Sequence, residues 1–349
     1  MSSQRIRVGI IGAGANTRSR HIPGLQQIPG VEIAGVVNRS PDSTNRVAQE
    51  YGISKTYARW EDLAGDPNID AVVIGTWPNL HAEATIAALA AGKHVLTEAR
   101  MARNLGEARA MQTAARAHPD LVSMVVPSPF GLVHDNFVRD LIRDDFLGDL
   151  REVVVLGADD VFRDYSQFLH WRQDKEISGN NVLAMGILHE SVSRWIPTPT
   201  RVFAQSAVFE PTRPSPERQE QVPVTVPESV QVLTQYDNGA RGIYHLSGSI
   251  LFGPGKQIHL YGSRGTIKLE FGPEEQLWTG RAGQKQLTLV ELSPERRGGW
   301  RVEEEFIGAI RGTEQVRYTD FASGVAYMEF TESVAVSLTT GQPVILPLA

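Results

Sequence analysis

From residue 6 to about 126, short β-branched apolar runs alternate with alanine-rich stretches whose apolar residues recur every three or four positions. That alternation forces parallel strands joined by helical crossovers. It predicts strands over residues 6–11, 31–37, 71–75, 94–97 and 121–126, with helices over 41–51, 82–91 and 105–118. After Pro127-Ser128-Pro129 the rhythm changes to apolar and polar residues in alternation. Strands are expected at 151–156, 230–236, 242–248, 257–261 and 266–270, with a helix or two before them and a late helix over 323–338. These strands make an antiparallel or mixed sheet. Residues 211–227 carry five prolines and several charges and are expected to form an irregular, solvated connection.

At 349 residues and 41% apolar content the chain exceeds what one core holds, because single cores stop growing near roughly 250 to 300 residues. Two domains are expected, 1–126 and 127–349. A net charge of −6 without long like-charge runs argues against nucleic acid or an anionic membrane surface as partner, leaving a small molecule. There are no cysteines, which excludes disulfides, thiolate catalysis and sulfur-ligated metals. The first five residues lead straight into a strand with no apolar leader, and no long uncharged apolar span follows, so a soluble, cytoplasmic protein is expected. His245 and His259 lie on separate strands without paired carboxylates, and no metal site is expected.

The run Val8-Gly9-Ile10-Ile11-Gly12-Ala13-Gly14 points to a nucleotide cofactor. Gly12 permits a tight turn, Gly14 lacks the Cβ that would hold phosphates off, and the first amides of the next helix donate to them. The third glycine of the usual fingerprint is replaced by Thr17.

Four further segments, in order along the chain, resemble the Gfo/Idh/MocA oxidoreductases, the family of glucose-fructose oxidoreductase and inositol dehydrogenase. They are Ala87 to Glu98 (AALAAGKHVLTE), Gly75 to His81 (GTWPNLH), His170-Trp171-Arg172 with Gly179 and His189, and Ile258 to Thr266 (IHLYGSRGT). The resemblance covers nearly the whole chain. It implies an α/β fold, with an N-terminal Rossmann dinucleotide-binding domain and a C-terminal α+β domain with an open-faced, largely antiparallel sheet. It also implies a homo-oligomer, dimer or tetramer, burying that open face.

Two departures bear on chemistry. Where the family reads E-K-P, with a lysine in the proton relay, this chain reads Glu98-Ala99-Arg100, and a methyl group moves no proton. Where an aspartate stands four residues before the histidine, this chain has Met185 before His189. His189 is then the leading general acid/base, with Tyr165 and His170 as helpers; the bland alternatives are a satisfied core histidine and aromatic packing. Arg172 is expected to reach the cofactor or substrate, and Asn180 and Asn181 to bind a sugar or to form a turn.

For the cofactor, Gly12, Gly14 and Asn16 would hold the pyrophosphate, and Thr76, Trp77, His81 and Glu98 the nicotinamide half. Asn38, Arg39 and Ser40 stand where an acid would bind the adenosine 2′-hydroxyl. Losing that acid and gaining a guanidinium favours NADP over NAD, the alternative being that Arg39 only stacks on adenine. The expected activity is hydride transfer at a secondary carbinol of a sugar, cyclitol or glycoside. Two alternatives stay open: transient oxidation by a tightly held cofactor during elimination or glycoside cleavage, and a catalytically silent NADP-binding sensor or scaffold.

Overall fold

The computed structural model describes residues 5–348 apart from Pro216 and Arg218, so the leader-free start read from residues 1–4 lies outside the described residues. The chain forms two compact units, one holding the residues up to Pro127 with Arg301–Ala326, the other Ser128–Trp300 with the residues from Tyr327 onward. The division after Pro127 is one residue from the expected boundary. The second domain was expected to keep everything from 127 to 349, but residues 301–326 group with the first unit. Their contacts are long-range and leave no trace in local periodicity.

In the first unit β1 (Ile6–Ile11), β2 (Val31–Val37), β3 (Ala71–Ile74), β4 (His94–Thr97) and β5 (Ser123–Val125) make a parallel sheet in the order β2-β1-β3-β4-β5. All four residues of β3 are fully buried, as a central strand covered on both faces must be. The helices are α1 (Ile22–Gln27), α2 (Pro41–Tyr51), α3 (Trp60–Ala64), α4 (Pro78–Ala90) and α5 (Leu105–Ala117). α4 starts four residues earlier than the apolar spacing implies, because Pro78 is already shaped for a first helical turn. β5 starts two residues late, because the Leu121 amide closes a turn onto the His118 carbonyl.

A wide helical turn, Thr17–His21, precedes α1, and the Ile22 amide reaches five residues back to Thr17. Pro23 follows, lacks an N–H and crowds the carbonyl four residues earlier, which a regular α-turn would not accommodate.

In the second unit the helices are α6 (Asp135–Arg143), α7 (Lys175–Ser178) and α8 (Met185–Ser193). The strands are β6 (Leu150–Ala158), β7 (Arg201–Ala207), β8 (Thr212–Pro214), β9 (Gln221–Pro223), β10 (Ser229–Gln235), β11 (Arg241–Ser247), β12 (Gly255–Gly262), β13 (Gly265–Phe271), β14 (Glu275–Arg281) and β15 (Thr288–Leu289). The segment 301–326 carries α9 (Val302–Ile310), and α10 (Phe321–Thr340) and β16 (Val344–Ile345) end the fold. Among the described residues, nine strands join in the order β15-β14-β13-β12-β6-β11-β10-β7-β16, antiparallel except for β6 beside β11. Strict alternation sends Val230, Val232, Tyr244, Leu246, Ile258 and Leu260 into a core with Leu188 and Phe330. On the opposite face Phe203, Leu233 and Ile243 lie side by side in register and are exposed.

The proline-rich stretch 211–227 is not wholly irregular. Around its two undescribed positions, β8 pairs with β9, and Arg213 on β8 is among the most deeply buried side chains of the unit. No described helix is long and apolar enough to cross a membrane.

The first unit also encloses a charge. His21 is fully buried, with Nδ1 at 2.5 Å from Glu303 Oε1 on α9 and Nε2 at 3.0 Å from Glu98 Oε1 after β4. Burial pushes its pKa down, but the hydrogen bonds to Glu303 and Glu98 outweigh that and raise it to about 9. A folded-state value above the unfolded 6.5 stabilises the fold fully below pH 6.5, and the contribution is lost as pH rises through about 9. On the order of 3 kcal/mol is at stake. Thermal unfolding of the wild type should therefore shift to lower temperature between pH 7 and pH 10, and His21→Gln should flatten that slope; equal slopes would refute the buried imidazolium.

Candidate functional site

The strand order reverses between β1 and β3, and a cavity of about 690 Å³ opens at the carboxyl ends of β1, β2 and β3. Its walls include Gly12, Ala13 and Gly14 after β1, Asn38 and Arg39 after β2, and Gly75, Thr76 and Trp77 after β3. The glycines let the two turns touch. Gly12 has φ +83°, and a Cβ there would stand 2.5 Å from Thr76 Cγ2; one on Gly75 would collide with Thr17 Oγ1 and the Gly12 carbonyl. A Cβ on Gly14 would meet the Gly75 carbonyl at 3.2 Å. Thr17, in the place of the third glycine, is buried and donates through Oγ1 to the Gly12 carbonyl at 3.3 Å. This cradle fits a dinucleotide: a cavity of about 690 Å³ at a switch point, with backbone held bare of side chains where Gly12, Gly14 and Gly75 meet.

The adenosine end differs from expectation in detail. The Asn38 side chain accepts from the Ala13 amide at 2.6 Å and donates to the Ser43 carbonyl at 3.1 Å, so it braces the glycine turn against α2. Ser40 does not line the cavity; it caps α2, its Oγ accepting from the Ser43 amide, and Ser43 lines the wall instead. Arg39 lies over the Trp77 ring at 5.6 Å. Arg59, at the start of α3, also lines the cavity and pairs with Glu61 at 2.9 Å.

Asn16, His81 and Glu98 lie outside the cavity wall. The Asn16 amide donates to Glu98 Oε1 at 2.5 Å, joining the His21 cluster. His81 is fully buried between two carbonyls, Nδ1 at 2.9 Å from Arg100 O and Nε2 at 3.0 Å from Thr76 O, and burial lowers its pKa. It ties α4 to the turns that follow β3 and β4.

In the second unit His189 on α8 is buried, stacked on Phe330 at 3.7 Å and 12°, with Nδ1 2.9 Å from the Tyr244 hydroxyl. Burial lowers its pKa to about 3, so the ring is neutral at any working pH. Nε2 has no hydrogen bond among the described residues. Met185, one turn earlier, is core. His170 accepts the Arg172 amide at Nδ1, 3.2 Å away, which puts the proton on Nε2. Burial, then the nearby Arg172 charge, lower its pKa to about 4. At Nε2 it offers a hydrogen-bond donor, which suits hydroxyl recognition rather than proton acceptance. Arg172 stacks on Trp171 at 4.2 Å, and Tyr165 is exposed beneath the Arg213 guanidinium at 4.8 Å. Asn181 is buried, donating to the Ser178 carbonyl at 2.7 Å to close a turn, the structural alternative for that position. Asn180 donates to Glu332 at 3.0 Å and lines a separate cavity of about 540 Å³. Among the described residues no cluster of three metal-ligating side chains forms.

The sequence reading missed His21, Arg59 and Arg213. His21 and Arg213 meet their carboxylates through contacts 282, 77 and 15 residues apart, which no local pattern announces.

Comparison with known proteins bears on identity. Residues 6–126 match the model of an oxidoreductase family with an NAD-binding Rossmann fold, and residues 136–268 match the GFO/IDH/MocA C-terminal domain. The chain is 42% identical to the 1,5-anhydro-D-fructose reductase of Ensifer adhaerens over 110 residues, which span 32% of this chain and only 33% of that protein. It is 27% identical to the trans-1,2-dihydrobenzene-1,2-diol dehydrogenase of Sus scrofa over 247 residues, 69% of this chain and 68% of the relative. A solved levoglucosan dehydrogenase in complex with NADH superposes with a TM-score of 0.88 at 22% identity, covering 99% of this chain and all of the other. With both of its folding units matched, the chain belongs to the Gfo/Idh/MocA oxidoreductase family.

Proposed function

We propose that this oxidoreductase moves a hydride between a secondary carbinol carbon of a sugar, cyclitol or glycoside and a nicotinamide cofactor held in the first unit. The cavity at the carboxyl ends of β1, β2 and β3 carries the reading, and the relatives' names, an anhydro-sugar reductase and dehydrogenases of levoglucosan and a diol, support the substrate class. Bound nicotinamide would supply the hydride acceptor at C4. The chain's own residues do the rest. Gly12 and Gly14 admit the pyrophosphate, and Thr76 and Trp77 flank the cofactor. Reduction of NAD or NADP by levoglucosan or myo-inositol, followed at the reduced-nicotinamide band, tests the activity.

NADP is the favoured cofactor. Arg39 lines the cavity and no acid stands directly after β2 to repel a 2′-phosphate; Arg59 also lines it, paired there with Glu61. Titration of both cofactors into the apo-protein should show tighter NADP(H) binding, with Arg39→Ala closing the gap. A preference for NAD(H) that survives Arg39→Ala would overturn it.

His189 is the proposed proton acceptor, through Nε2. When Nδ1–H donates to the Tyr244 oxygen, Nε2 keeps its lone pair free to accept a proton; in the reverse tautomer Nε2 carries the proton. Because its pKa is lowered to about 3, His189 should put no inflection in the kcat/KM profile between pH 5 and 9. His189→Ala should slow the chemical step by roughly 10²-fold or more with cofactor affinity unchanged. Unaltered turnover would refute the assignment. The same low basicity, with Ala99 and a core Met185 where the family resemblance implies acid-base groups, favours as second reading a sensor that binds NADP(H) and exchanges hydride with no polyol.

A homo-oligomer is proposed as well, supported by the exposed apolar row Phe203, Leu233 and Ile243 on the open sheet face. Light scattering at micromolar concentration should report a dimer or larger, and a monomer would count against it.

A further inference from the structure

Residues 163–168, between β6 and the turn at Trp171–Gln173, are exposed at every position, so no apolar packing of their own holds them. Two of them are aromatic, Tyr165 and Phe168, at 40% and 63% exposure. The segment is fixed from below by Arg213, itself 2% exposed. Its Nη1 donates to the Asp164 carbonyl at 2.6 Å, its Nη2 to the Phe162 carbonyl and to Glu228 Oε1, the latter at 2.8 Å, and its Cζ lies 4.8 Å from the centre of the Tyr165 ring.

Glu228 carries the constraint to the other end of the segment. Its Oε1 also accepts from Gln173 Nε2 at 2.9 Å, and the same Gln173 side chain accepts the His170 amide through Oε1 at 3.2 Å. Its Oε2 takes the amides of Phe209 and Glu210, at 3.2 and 3.3 Å. One buried charge pair therefore sets Phe162 to Tyr165 on one side and His170 to Gln173 on the other. A guanidinium is suited to this, since its planar fork meets two carbonyls and a carboxylate at once; an ammonium could not hold the same plane against the tyrosine ring.

We propose that Arg213 and Glu228 are positioning residues that pre-organise a carbohydrate-recognition segment, in which the Tyr165 and Phe168 rings meet the apolar C–H face of a sugar and His170 Nε2–H donates to a hydroxyl. The inference rests on the polyol reading above. Side chains held in place before binding cost less ordering entropy when substrate arrives, and an exposed aromatic loop fixed by a buried ion pair is arranged for that purpose. Neither residue touches substrate; they act through Tyr165 and His170.

Arg213→Lys and Glu228→Gln test the inference, both milder than removal of a buried partner. With the polyol that the wild type oxidises best, each should raise KM roughly 10-fold or more while the dissociation constant of the cofactor stays within about twofold. A double-mutant cycle with Tyr165→Ala should be non-additive, the tyrosine truncation costing less in the Arg213→Lys background. A purely structural pair would lower the melting temperature and leave KM and the cycle unmoved, and that result would overturn the proposal. A second readout needs no turnover. Hydrogen exchange at the amides of residues 162–173 should quicken in both variants, and levoglucosan or myo-inositol added at millimolar concentration should protect the wild-type segment more than the variants. Unchanged exchange in folded variants would also overturn the clamp. Absence of any wild-type turnover alongside quickened exchange would instead sink the polyol reading and leave the clamp standing.

Discussion

The approach of the β1 and β3 turns is the constraint on which the first unit depends. Gly12 and Gly75 carry no Cβ, and each would collide with the other turn if it did. Because these strands are neighbours with crossovers leading to opposite sides, their ends must diverge into a crevice. The bare backbone where Gly12 and Gly75 meet makes that crevice a cradle. Thr17 then fits in place of a third glycine by bonding back to the turn it follows, and Asn38 braces the same turn from β2.

Buried charge does a second kind of organising in both units. His21 joins the first helical segment to the residue after β4 and to α9, three stretches remote in sequence. Arg213 and Glu228 do the same for loops that have no core of their own. Glu190, on α8, takes the Ser128 amide at 2.9 Å and Arg194 at 2.6 Å, pinning the start of the second unit. An isolated buried charge is costly, so each cluster specifies one arrangement of its segments by making every other arrangement worse.

Two of the buried histidines show how partners decide chemistry when burial is the same. His21 and His189 both lose water, which penalises the imidazolium in each. Two carboxylates reverse the outcome for His21 and raise it to about 9, whereas a phenol and a stacked phenyl ring leave His189 at about 3. His21 is held as a cation that shapes the structure; His189 is held as a neutral ring whose usefulness depends on its tautomer.

Local pattern alone determined much of this protein. The alternation of β-branched runs and alanine-rich helices placed β1, β2, β4 and α2 to the residue, and period-two alternation placed β6 and β10 to β13 within a few residues, because one-sided burial dictates that period. The glycines of the β1 turn were legible as a close backbone approach, since their residue type reflects a backbone requirement, whereas the loop at Gly75 to Trp77 stood out only through the family resemblance; both line the cavity. What only tertiary structure decided is the company each polar side chain keeps. Asn38 braces the glycine turn while lining the cavity, Ser40 caps a helix, Asn181 closes a turn, and His170 takes the amide of Arg172 at one of its two ring nitrogens. The assignment of residues 301–326 to the first unit, the imidazolium at His21 and the burial of Arg213 in a proline-rich stretch were equally hidden. A side chain's charge and hydrogen bonding are settled by atoms brought to it from distant parts of the chain, and the periodicities that foretell strands and helices carry no record of them.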